Sequence, residues 1–507
     1  MLQPDFYPHP VTQPIELMQT HVSYVLLTGD YAYKLKKPVD FGFLDYSTLE
    51  KRRHFCYEEL RLNRRAAAAL YLGVVPIMQL GDRYQLDGSG DTVEYAVKMR
   101  QFPQDALLSH QFEQGELTAE KLRSLAEVIA QFHQSAKTND RIRSYGEIPE
   151  IRYSFDENYD QTAEFIGGPQ TQQQFDETKA YTDRFFTERQ DLFQRRLDQN
   201  RIRACHGDLH LNNICEWQGK LLLFDCIEFD NEPFRCVDVM FDIAYIVMDL
   251  QAAGRGDLST IFLNHYVEQT GDWEGLAVLP LYVSRQSYVR AKVTSFMLND
   301  PTVSEAERQR ASEKAARYYR LAWAYTQSQS GRLILMSGLS GSGKSTVAQA
   351  LAPQLEAVHI RSDAVRKHLA GVPLMERGDD RLYTDEMTQK TYYRLLSLGT
   401  ELALLGYPVI LDAKYDRQIQ RQSAIAAAHT ANLPFTLIHC TAPREVLTAR
   451  VRQRSGDIAD ATVEVLASQT EEPFSATVQP SVIAVDTTQP LEPQLAAIVE
   501  ALTESEP

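Results

Sequence analysis

Residues 338–345 have the types and the spacing that bind the phosphates of a nucleotide. They read GLSGSGKS and match the pattern G-x-x-x-x-G-K-[ST] in full. Glycines let backbone N–H groups turn toward phosphate oxygens, and the helix that follows directs the positive end of its dipole at the anion. A lysine in this pattern reaches the β- and γ-phosphates, and the next hydroxyl binds Mg²⁺. The predicted ATP-binding residues are Gly338, Ser340, Gly341, Ser342, Gly343, Lys344, Ser345 and Thr346, with Ser345 as a magnesium ligand.

Carboxylates follow two of the predicted strands beyond this loop. Asp363 comes shortly after the strand AVHI and could accept the proton of an attacking hydroxyl. Its alternative role is that of an N-cap on a helix beginning at Ala364. Asp412 follows the strand VIL and is placed to hold Mg²⁺ through water. Both carboxylates are expected at the carboxyl ends of strands, where open α/β sheets bind ligands.

Three arginines in the same half are candidates for binding phosphate oxygens. Arg366 follows Asp363 and could hold a phosphate or the transition state. Arg450 and Arg454 lie one turn apart on one face of a predicted helix and could close over the phosphates as a lid. A solvated helix face is the alternative for this pair.

A second group of polar residues lies upstream, in CHGDLHLNN at 205–213 and LLLFD at 221–225. Phosphoryl transfer to a hydroxyl needs a group that accepts the proton and oxygen ligands for Mg²⁺. Asp208 suits the first role, and Asn213 and Asp225 suit the second, because Mg²⁺ prefers hard oxygen donors. Aspartate and asparagine also favour turns, which is the alternative reading of these residues.

The order of predicted elements divides the 507 residues into domains. Residues 1–103 are rich in strands and contain one helix, whereas 104–325 show mostly helical periodicity. A short stretch of glutamine and serine predicts a linker at 326–331. Strands and helices alternate in 332–507, which predicts a parallel sheet covered on both faces.

Composition excludes several classes of protein. The formal net charge of −16, from 68 acidic and 52 basic residues, argues against a general nucleic-acid coat and against a binder of anionic membranes. No apolar run approaches membrane-spanning length, and no secretory signal is visible at the N-terminus. The six cysteines form no C-x-x-C pair, so buried reduced thiols and a cytoplasmic location are predicted.

The part of the chain before the linker resembles the aminoglycoside phosphotransferase family, relatives of the protein kinases. HGDLHLNN matches the catalytic loop of that family, and LLLFDCIEF matches its metal-binding loop. The resemblance implies a two-lobed α+β protein-kinase-like domain, with Asp208 as catalytic base and with Asn213 and Asp225 as metal ligands. It also implies that Asp242 braces the catalytic loop, while Asp238 could share that role or cap the helix.

This family needs a lysine on a strand of the first lobe, held by a glutamate on the following helix. Lys34, in YAYK, fits the motif, and Lys36 points to the same face of the strand, so both are candidates for binding ATP. Glu59 is the predicted partner and Glu58 is the alternative. Lys98 repeats the motif in AVKM, but its position before QFP predicts a hinge strand. No glycine-rich loop precedes the lysine strand, which departs from the kinase pattern.

The part after the linker resembles the small P-loop kinases, in particular the group that contains polynucleotide kinase and the zeta toxins. The matching segments are GLSGSGKST, RSDAVR, VILDA and ARVRQR. The resemblance implies an α/β P-loop NTPase domain with a parallel sheet and Asp363 as the base. It further implies that Arg366 contacts phosphate or substrate and that the region of Arg450 and Arg454 forms a lid.

These features predict a cytoplasmic fusion of two ATP-dependent phosphotransferases. Each would transfer the γ-phosphate of ATP, with Mg²⁺, to a hydroxyl group. Small molecules are the predicted acceptors; a nucleotide or a nucleic-acid end stays open, and long nucleic acid is disfavoured by the acidic composition. The alternative is a regulatory ATP-binding protein whose first domain senses a ligand, which the missing glycine-rich loop favours.

Overall fold

The chain folds into two compact units. A computed structural model describes residues 1–42, 44–229, 232–475 and 481–504. The first unit comprises residues 1–249 and 281–322, and the second comprises 250–280 and 323–507.

The first unit begins with an antiparallel sheet and one long helix. The elements are β1 (Glu16–Gln19), β2 (Ser23–Leu27), β3 (Tyr31–Lys36), α1 (Leu49–Ala67), β4 (Tyr71–Leu80), β5 (Arg83–Leu86) and β6 (Asp91–Arg100). The strand order is β1-β2-β3-β6-β4-β5. Side chains alternate along β3, so Tyr33 lies in an apolar core on one face while Lys34 and Lys36 share the other face. All four side chains of β1 are exposed, which explains why no apolar pattern marks this strand in the sequence.

Helices make up most of the rest of the first unit. They are α2 (Leu108–Glu113), α3 (Ala119–Ser135), α4 (Asp140–Ser144), α5 (Ile148–Thr162), α6 (Gln172–Glu188), α7 (Gln190–Asp198), α8 (Val239–Ala252), α10 (Leu279–Ser295) and α11 (Glu305–Ala324). Two short antiparallel pairs lie among them: β7 (Ile202–Ala204) with β10 (Cys236–Asp238), and β8 (Ile214–Trp217) with β9 (Lys220–Leu223). The helical periodicity predicted for this region is therefore found, and the two small strand pairs flank the segment that contains the predicted catalytic residues.

The second unit is built on the predicted parallel sheet. Its elements are α9 (Gly256–Thr270), β11 (Arg332–Ser337), α12 (Lys344–Leu351), β12 (Val358–Arg361), α13 (Ser362–Ala370), α14 (Asp385–Leu404), β13 (Pro408–Asp412), α15 (Gln418–Thr430), β14 (Phe435–Thr441), α16 (Arg444–Gln453), α17 (Val463–Ser468), β15 (Val482–Asp486) and α18 (Leu491–Glu504). The five strands are all parallel, in the order β12-β13-β11-β14-β15. Every residue of β11 is buried, which is why this central strand reads as an apolar run.

Residues 250–280 belong to the second unit, although the predicted boundaries place them in the first domain. Their helix α9 lies against β12, which is an edge strand. The Asn264 side chain accepts a hydrogen bond from the His359 N–H and donates one to the Ala357 carbonyl, each over 2.9 Å. An exposed strand edge needs such partners, so the segment covers an edge that the sequence pattern alone does not reveal.

All six cysteines are buried free thiols. Burial raises the pKa of the Cys215 thiol to about 12, so it remains protonated and unreactive at neutral pH. Within the described ranges, no helix is both long enough and apolar enough to cross a lipid bilayer.

Candidate active sites

The β8–β9 hairpin brings two predicted metal ligands of the first unit together. Asn213 directly precedes β8, and Asp225 lies two residues after β9. The Phe224 N–H donates to the Asn213 carbonyl over 3.0 Å, which closes this end of the hairpin. Asp225 has a φ of 61°, and its N–H donates to the Tyr71 hydroxyl over 3.2 Å. A left-handed aspartate is uncommon and costs free energy, and such residues cluster at functional sites.

Asp208 lies beside Asn213. The Asn213 side-chain amide donates to Asp208 Oδ2 over 3.2 Å and to the Asp208 carbonyl over 2.9 Å. His210 Nε2 lies 3.3 Å from the same carboxylate oxygen. Burial acts to raise the pKa of Asp208, but the charge and the hydrogen bond of His210 outweigh it, so the pKa lies below its ordinary value. The carboxylate is ionised at neutral pH, as a catalytic base requires.

Asp242, on α8, fastens the catalytic loop, which we define as residues 206–213. Its Oδ1 accepts a hydrogen bond from the Gly207 N–H over 2.8 Å, and its Oδ2 accepts one from the His206 N–H over 3.0 Å. His133 Nε2 lies 3.0 Å from Oδ2, and the Asp242 side chain is fully buried. These contacts are the ones that a brace of the loop needs.

Asp238 has a different environment from Asp242. It accepts two hydrogen bonds from the Arg196 guanidinium, over 2.8 and 2.6 Å, and both side chains are buried. Its Oδ1 also accepts a hydrogen bond from the Met240 N–H at the start of α8, over 2.9 Å. Of the two roles considered for Asp238, the structure therefore favours the helix cap.

Both candidate lysines contact Glu59. The Lys34 Nζ lies 3.0 Å from one carboxylate oxygen, and the Lys36 Nζ lies 2.8 Å from the other. Lys34 also pairs with Asp225, whereas Lys36 pairs with Glu228. The side chain of Lys36 is fully buried, and that of Lys34 is 12% exposed. Lys34 thus connects the helix glutamate to a predicted metal ligand, while Lys36 lies in a closed ion cluster.

The alternative residues lie outside this cluster. Glu58 accepts hydrogen bonds from an arginine one turn further along α1, and Lys98 lies against an aromatic ring. Glu228 is the member of the cluster that was not predicted as a site residue, although it lies within LLLFDCIEF. Its position three residues after Asp225, in the same loop, is the signal that would have identified it.

The turn between β1 and β2, residues 20–22, lies where protein kinases carry a glycine-rich loop. The Thr20 N–H donates to the Ser23 carbonyl over 2.9 Å, and the Thr20 hydroxyl accepts a hydrogen bond from the Ser23 N–H over 3.0 Å. The Lys37 Nζ donates to the Thr20 carbonyl over 2.6 Å. A closed three-residue turn offers few free backbone N–H groups to a phosphate.

The phosphate loop of the second unit, residues 338–343, connects β11 to α12. Gly338 has a φ of 132°, and a Cβ at this position would lie 2.3 Å from the Cys440 carbonyl oxygen. Only glycine fits there without displacing the backbone of β14. The Lys344 Nζ donates to the Leu339 carbonyl over 3.0 Å, which keeps the ammonium group inside the curve of the loop.

The hydroxyl side chains of this region differ in their contacts. Ser340 is tied to Gln469 by two hydrogen bonds of 3.0 Å, a contact that no motif predicts. The Ser342 hydroxyl is buried and has no hydrogen-bond partner among the described residues. Ser345 is half-buried and Thr346 is exposed, and neither hydroxyl makes a hydrogen bond within the described part of the chain. Ser345 is therefore available to a ligand.

Asp412 ends β13 and is 4% exposed. Its Oδ2 lies 3.1 Å from Nε2 of His359, on the neighbouring strand β12. Burial opposes ionisation of Asp412, but the hydrogen bond and charge of His359, with the charges of Arg361 and Lys344, lower its pKa to about 2. A permanently ionised carboxylate next to the phosphate loop is suited to hold Mg²⁺.

Asp363 lies inside the first turn of α13. The helix begins at Ser362, and its N-cap is Arg361, which makes no capping hydrogen bond with its side chain. The capping alternative for Asp363 is therefore wrong. Burial raises the pKa of Asp363, the charge of Arg361 opposes this, and Asp412 adds to it, so the pKa lies above its ordinary value. A carboxylate with a raised pKa takes up a proton more readily, which suits a general base.

Arg366 is almost fully buried, at 7% exposure. Its Nη1 donates to the Leu382 carbonyl over 2.7 Å and lies 3.3 Å from the Thr388 hydroxyl. The guanidinium thus helps to hold α14 near α13. Its Nε is buried without a hydrogen-bond partner in the described ranges, so this N–H is unsatisfied in the structure.

Arg450 lies in the last turn of α16, and Arg454 is the C-cap residue of this helix. Arg450 donates to the Thr487 hydroxyl over 2.8 Å and to the Thr487 carbonyl over 2.7 Å, and lies 3.4 Å from the Gly341 carbonyl. The Thr487 hydroxyl in turn lies 2.8 Å from the Ser342 carbonyl oxygen. Arg450 therefore braces the phosphate loop. Thr487, missed by motif reasoning, directly follows β15, and its place at a strand's carboxyl end is the available signal.

The donor sets of both units fit Mg²⁺ and nucleotide phosphates. In the first unit the candidate ligands are the Asn213 amide oxygen and the Asp225 carboxylate, which is 43% exposed. In the second they are the unbonded Ser345 hydroxyl and the ionised Asp412. All are hard oxygen donors, which Mg²⁺ prefers, and each set lies beside a lysine.

Comparisons with known proteins identify a family for each part of the chain. Residues 53–279 match the Phosphotransferase enzyme family (APH), and residues 333–473 match a family described as AAA domain (AAA_33). An uncharacterized protein of Mycobacterium tuberculosis strain H37Rv is 32% identical over 466 residues, which is 91% of each chain. An uncharacterized protein of Mycobacterium bovis has the same identity and coverage.

Two solved structures are also similar to parts of the chain. A choline/ethanolamine kinase family protein from Mesorhizobium loti shares 11% identity, with 62% of this chain and 93% of that chain covered and a TM-score of 0.35. The Mycobacterium tuberculosis APS kinase, in complex with AMPPNP and APS, shares 21% identity, with 34% and 99% covered and a TM-score of 0.28. From the family matches, the predicted kinase-like and P-loop folds are confirmed. The chain belongs to the same family as the mycobacterial proteins and is an enzyme that joins a phosphotransferase (APH) domain to a P-loop kinase-like domain.

Proposed function

We propose that the protein transfers the γ-phosphate of ATP to hydroxyl groups at two Mg²⁺-dependent sites, one in each domain. The observation that carries the proposal is the set of contacts in the first unit. Glu59 holds Lys34, Lys34 reaches Asp225, and Asn213 bonds to Asp208. A base, a phosphate-binding cation and metal ligands are the components that phosphoryl transfer requires.

In the first site, Asp208 accepts the proton of the acceptor hydroxyl as its oxygen attacks the γ-phosphorus. Asn213 orients the Asp208 carboxylate through its 3.2 Å hydrogen bond. Lys34 is held by Glu59 and binds phosphate oxygens. These oxygens replace some of its contact with Asp225. Mg²⁺ bound by the Asn213 and Asp225 oxygens would neutralise charge on the phosphates.

In the second site, the backbone of residues 338–343 and Lys344 hold the triphosphate. Ser345 and Asp412 are the proposed metal ligands. Asp363 is the proposed base, and its raised pKa favours uptake of the acceptor proton. The buried Nε of Arg366, without a partner among the described residues, is the proposed donor to a phosphate oxygen.

Small hydroxyl-bearing molecules are the proposed acceptors, and the cytoplasm is the proposed location. The net charge of −16 disfavours long nucleic acid, because its phosphates would be repelled. The six buried free thiols are typical of a reducing compartment.

A regulatory role of the first domain is the second candidate. It is favoured by the closed turn at 20–22 and by the direct Lys34–Asp225 pair, which nucleotide binding must open. In that case the domain binds ATP or a metabolite without turnover, and only the P-loop domain transfers phosphate.

A labelling experiment tests the proposal. Full-length protein is incubated with γ-labelled ATP, Mg²⁺ and a panel of hydroxyl compounds, and labelled products are separated. Asp208→Asn and Lys344→Ala are each expected to remove a different set of products. Asp160→Asn and Lys390→Ala, at exposed positions, are the matched controls. If Asp208→Asn leaves every product unchanged, the first domain is not a kinase and the regulatory role replaces it.

A further inference from the structure

The wall of the first site next to Asp208 is formed in part by α8 and α10. The Tyr245 ring, on α8, has its centroid 6.5 Å from that of His210 in the catalytic loop. Arg290, on α10, is close enough for its charge to act on both Asp208 and Tyr245. A base, a phenol and a guanidinium therefore line one region of the first unit.

Arg290 is an arginine whose charge the described residues leave without a direct partner. Its guanidinium makes no hydrogen bond or ion pair in those ranges, and its side chain is half-buried. By contrast, the buried Arg196 in the same unit binds both oxygens of Asp238. A partly desolvated cation without a partner gains free energy when an anion binds.

Helix α10 carries two further cationic side chains, Arg285 and Lys292. The Arg285 guanidinium lies 4.9 Å from the centroid of the Phe241 ring, interacts with Tyr245, and has a buried Nε without a hydrogen-bond partner in the described residues. The Lys292 Nζ donates to the Gln161 side-chain carbonyl over 2.8 Å. Burial and the nearby Arg285 charge lower the pKa of Lys292 to about 8. These groups repel one another in the absence of a ligand.

The charge of Arg290 acts on two carboxylates, Asp208 and Asp249, but neither contacts its guanidinium directly within the described residues. Asp249 is committed to the catalytic loop, because its Oδ2 accepts the Leu211 N–H over 3.0 Å, and burial raises its pKa. Glu157 is the one carboxylate whose charge acts on both Arg285 and Lys292 among the described residues. The Arg290 guanidinium therefore keeps hydrogen-bond donors available for an anionic group of the acceptor, which a cationic acceptor cannot supply.

We propose that the first site phosphorylates a small hydroxyl compound that already carries an anionic group, a phosphate monoester or a carboxylate, bound by Arg290 with Tyr245 and Arg285. This inference rests on the proposed function of the same site. The acceptor oxygen forms a bond to the γ-phosphorus, the bond from that phosphorus to ADP breaks, and the hydroxyl proton passes to Asp208. The product therefore carries the original anionic group and a new phosphate.

Turnover is measured with matched pairs of acceptors in full-length protein that carries Lys344→Ala, which silences the second site. The pairs are glycerol with glycerol 3-phosphate, ribose with ribose 5-phosphate, and glycerol with glycerate; choline and kanamycin represent cationic acceptors. Phosphate transfer is expected to the anionic members alone. Arg290→Gln is expected to raise KM about tenfold to a hundredfold with a much smaller change in kcat, because a charge-assisted hydrogen bond to the acceptor is lost. Arg290→Lys is expected to recover part of the loss.

Binding is measured separately by calorimetry, in the presence of Mg²⁺ and a non-hydrolysable ATP analogue that fills the nucleotide site. The anionic compounds are expected to bind the Lys344→Ala protein and its Asp208→Asn derivative, but not its Arg290→Gln derivative. Arg310→Gln, at an exposed position on α11, is the control for loss of an arginine.

The turnover and binding measurements distinguish the proposed anion site from the proposed phosphotransferase activity of the same domain. Anion binding that depends on Arg290, without turnover, supports the anion site and overturns the phosphotransferase role. Turnover or binding of neutral or cationic members that Arg290→Gln leaves unchanged overturns the anion site alone. Failure of every anionic compound to bind also overturns it. Preference for the phosphates or for glycerate identifies which anionic group the site takes.

Discussion

The two candidate sites provide the same functions with different parts of the chain. In the second site the proposed phosphate ligands are consecutive, residues 338–345, and most are backbone N–H groups. In the first site a lysine of β3, a glutamate of α1 and an aspartate after β9 come together. Lys34 and Asp225, which are in contact, are 191 residues apart in the chain.

This difference determines how each site is held together. The first site contains a buried cluster in which Lys34 and Lys36 share the carboxylate of Glu59. Its order depends on charge balance, since each ion is stable only beside its partners. The phosphate loop depends on backbone space, as the close approach of Gly338 to Cys440 illustrates. The sites should therefore fail in response to different substitutions.

Substitution of either proposed base is expected to have the largest effect on the reaction rates. Asp208→Asn and Asp363→Asn should each lower the rate of one reaction by about 10²–10⁴-fold, because general base catalysis contributes this much, and leave the other reaction unchanged. Initial rates of formation of the two classes of labelled product check this. Loss of both products in either single variant would show that the sites do not act separately.

Substitution of the two lysines should separate binding from stability. Lys36→Met leaves two carboxylates of a buried cluster without their shared cation and is expected to cost about 3–5 kcal/mol in the free energy of unfolding of the first unit. Lys34→Met should cost less, because Lys36 still neutralises Glu59, but should abolish turnover at the first site. Urea unfolding and kinase assays measure the two effects. Equal destabilisation by both variants would contradict the assignment of Lys34 as the phosphate ligand.

Gly338→Ala should affect the second site alone. The added Cβ would meet the Cys440 carbonyl, and overpacking of this kind costs about 1–3 kcal/mol. Gly371→Ala is the matched control, since Gly371 has a φ of 67° and open space where a Cβ would lie. Nucleotide affinity of the second site and thermal unfolding are the measurements. An unchanged nucleotide affinity in Gly338→Ala would show that the backbone of the loop can move away from the Cys440 carbonyl without loss of binding.

The smallest expected difference is in pH dependence. Each base must be ionised to act, and the pKa of Asp208 lies below its ordinary value while that of Asp363 lies above it. As pH falls, the second reaction should therefore be lost before the first. Profiles of kcat/KM against pH, measured for each site with the other inactivated, check the order. The opposite order would exclude at least one of the two assignments.

Much of the fold and part of each site could be predicted from the sequence because their signals are local. The central strand β11 is buried on both faces, so its residues form an apolar run, and the phosphate loop follows at once. The parallel sheet follows from the alternation of strands and helices. Asp208, Asn213 and Asp225 lie within one short segment whose hairpin forms from neighbouring residues.

Other features were settled by tertiary packing. Lys34 and Lys36 have the same local pattern, since both point to one face of β3, and their different contacts come from Asp225 and Glu228, far along the chain. The place of residues 250–280 depends on the open edge of β12, which no periodicity reveals.

The sequence by itself therefore determined the phosphate loop and the segment that carries Asp208, Asn213 and Asp225, because each is encoded by residues close together in the chain. The tertiary structure decided which lysine meets the metal ligand and that Arg450 braces the phosphate loop through Thr487. It also placed the unpaired charge of Arg290 beside Asp208. The physical reason is that a side chain's partner across the fold, and not its sequence neighbours, sets its charge balance and its exposure.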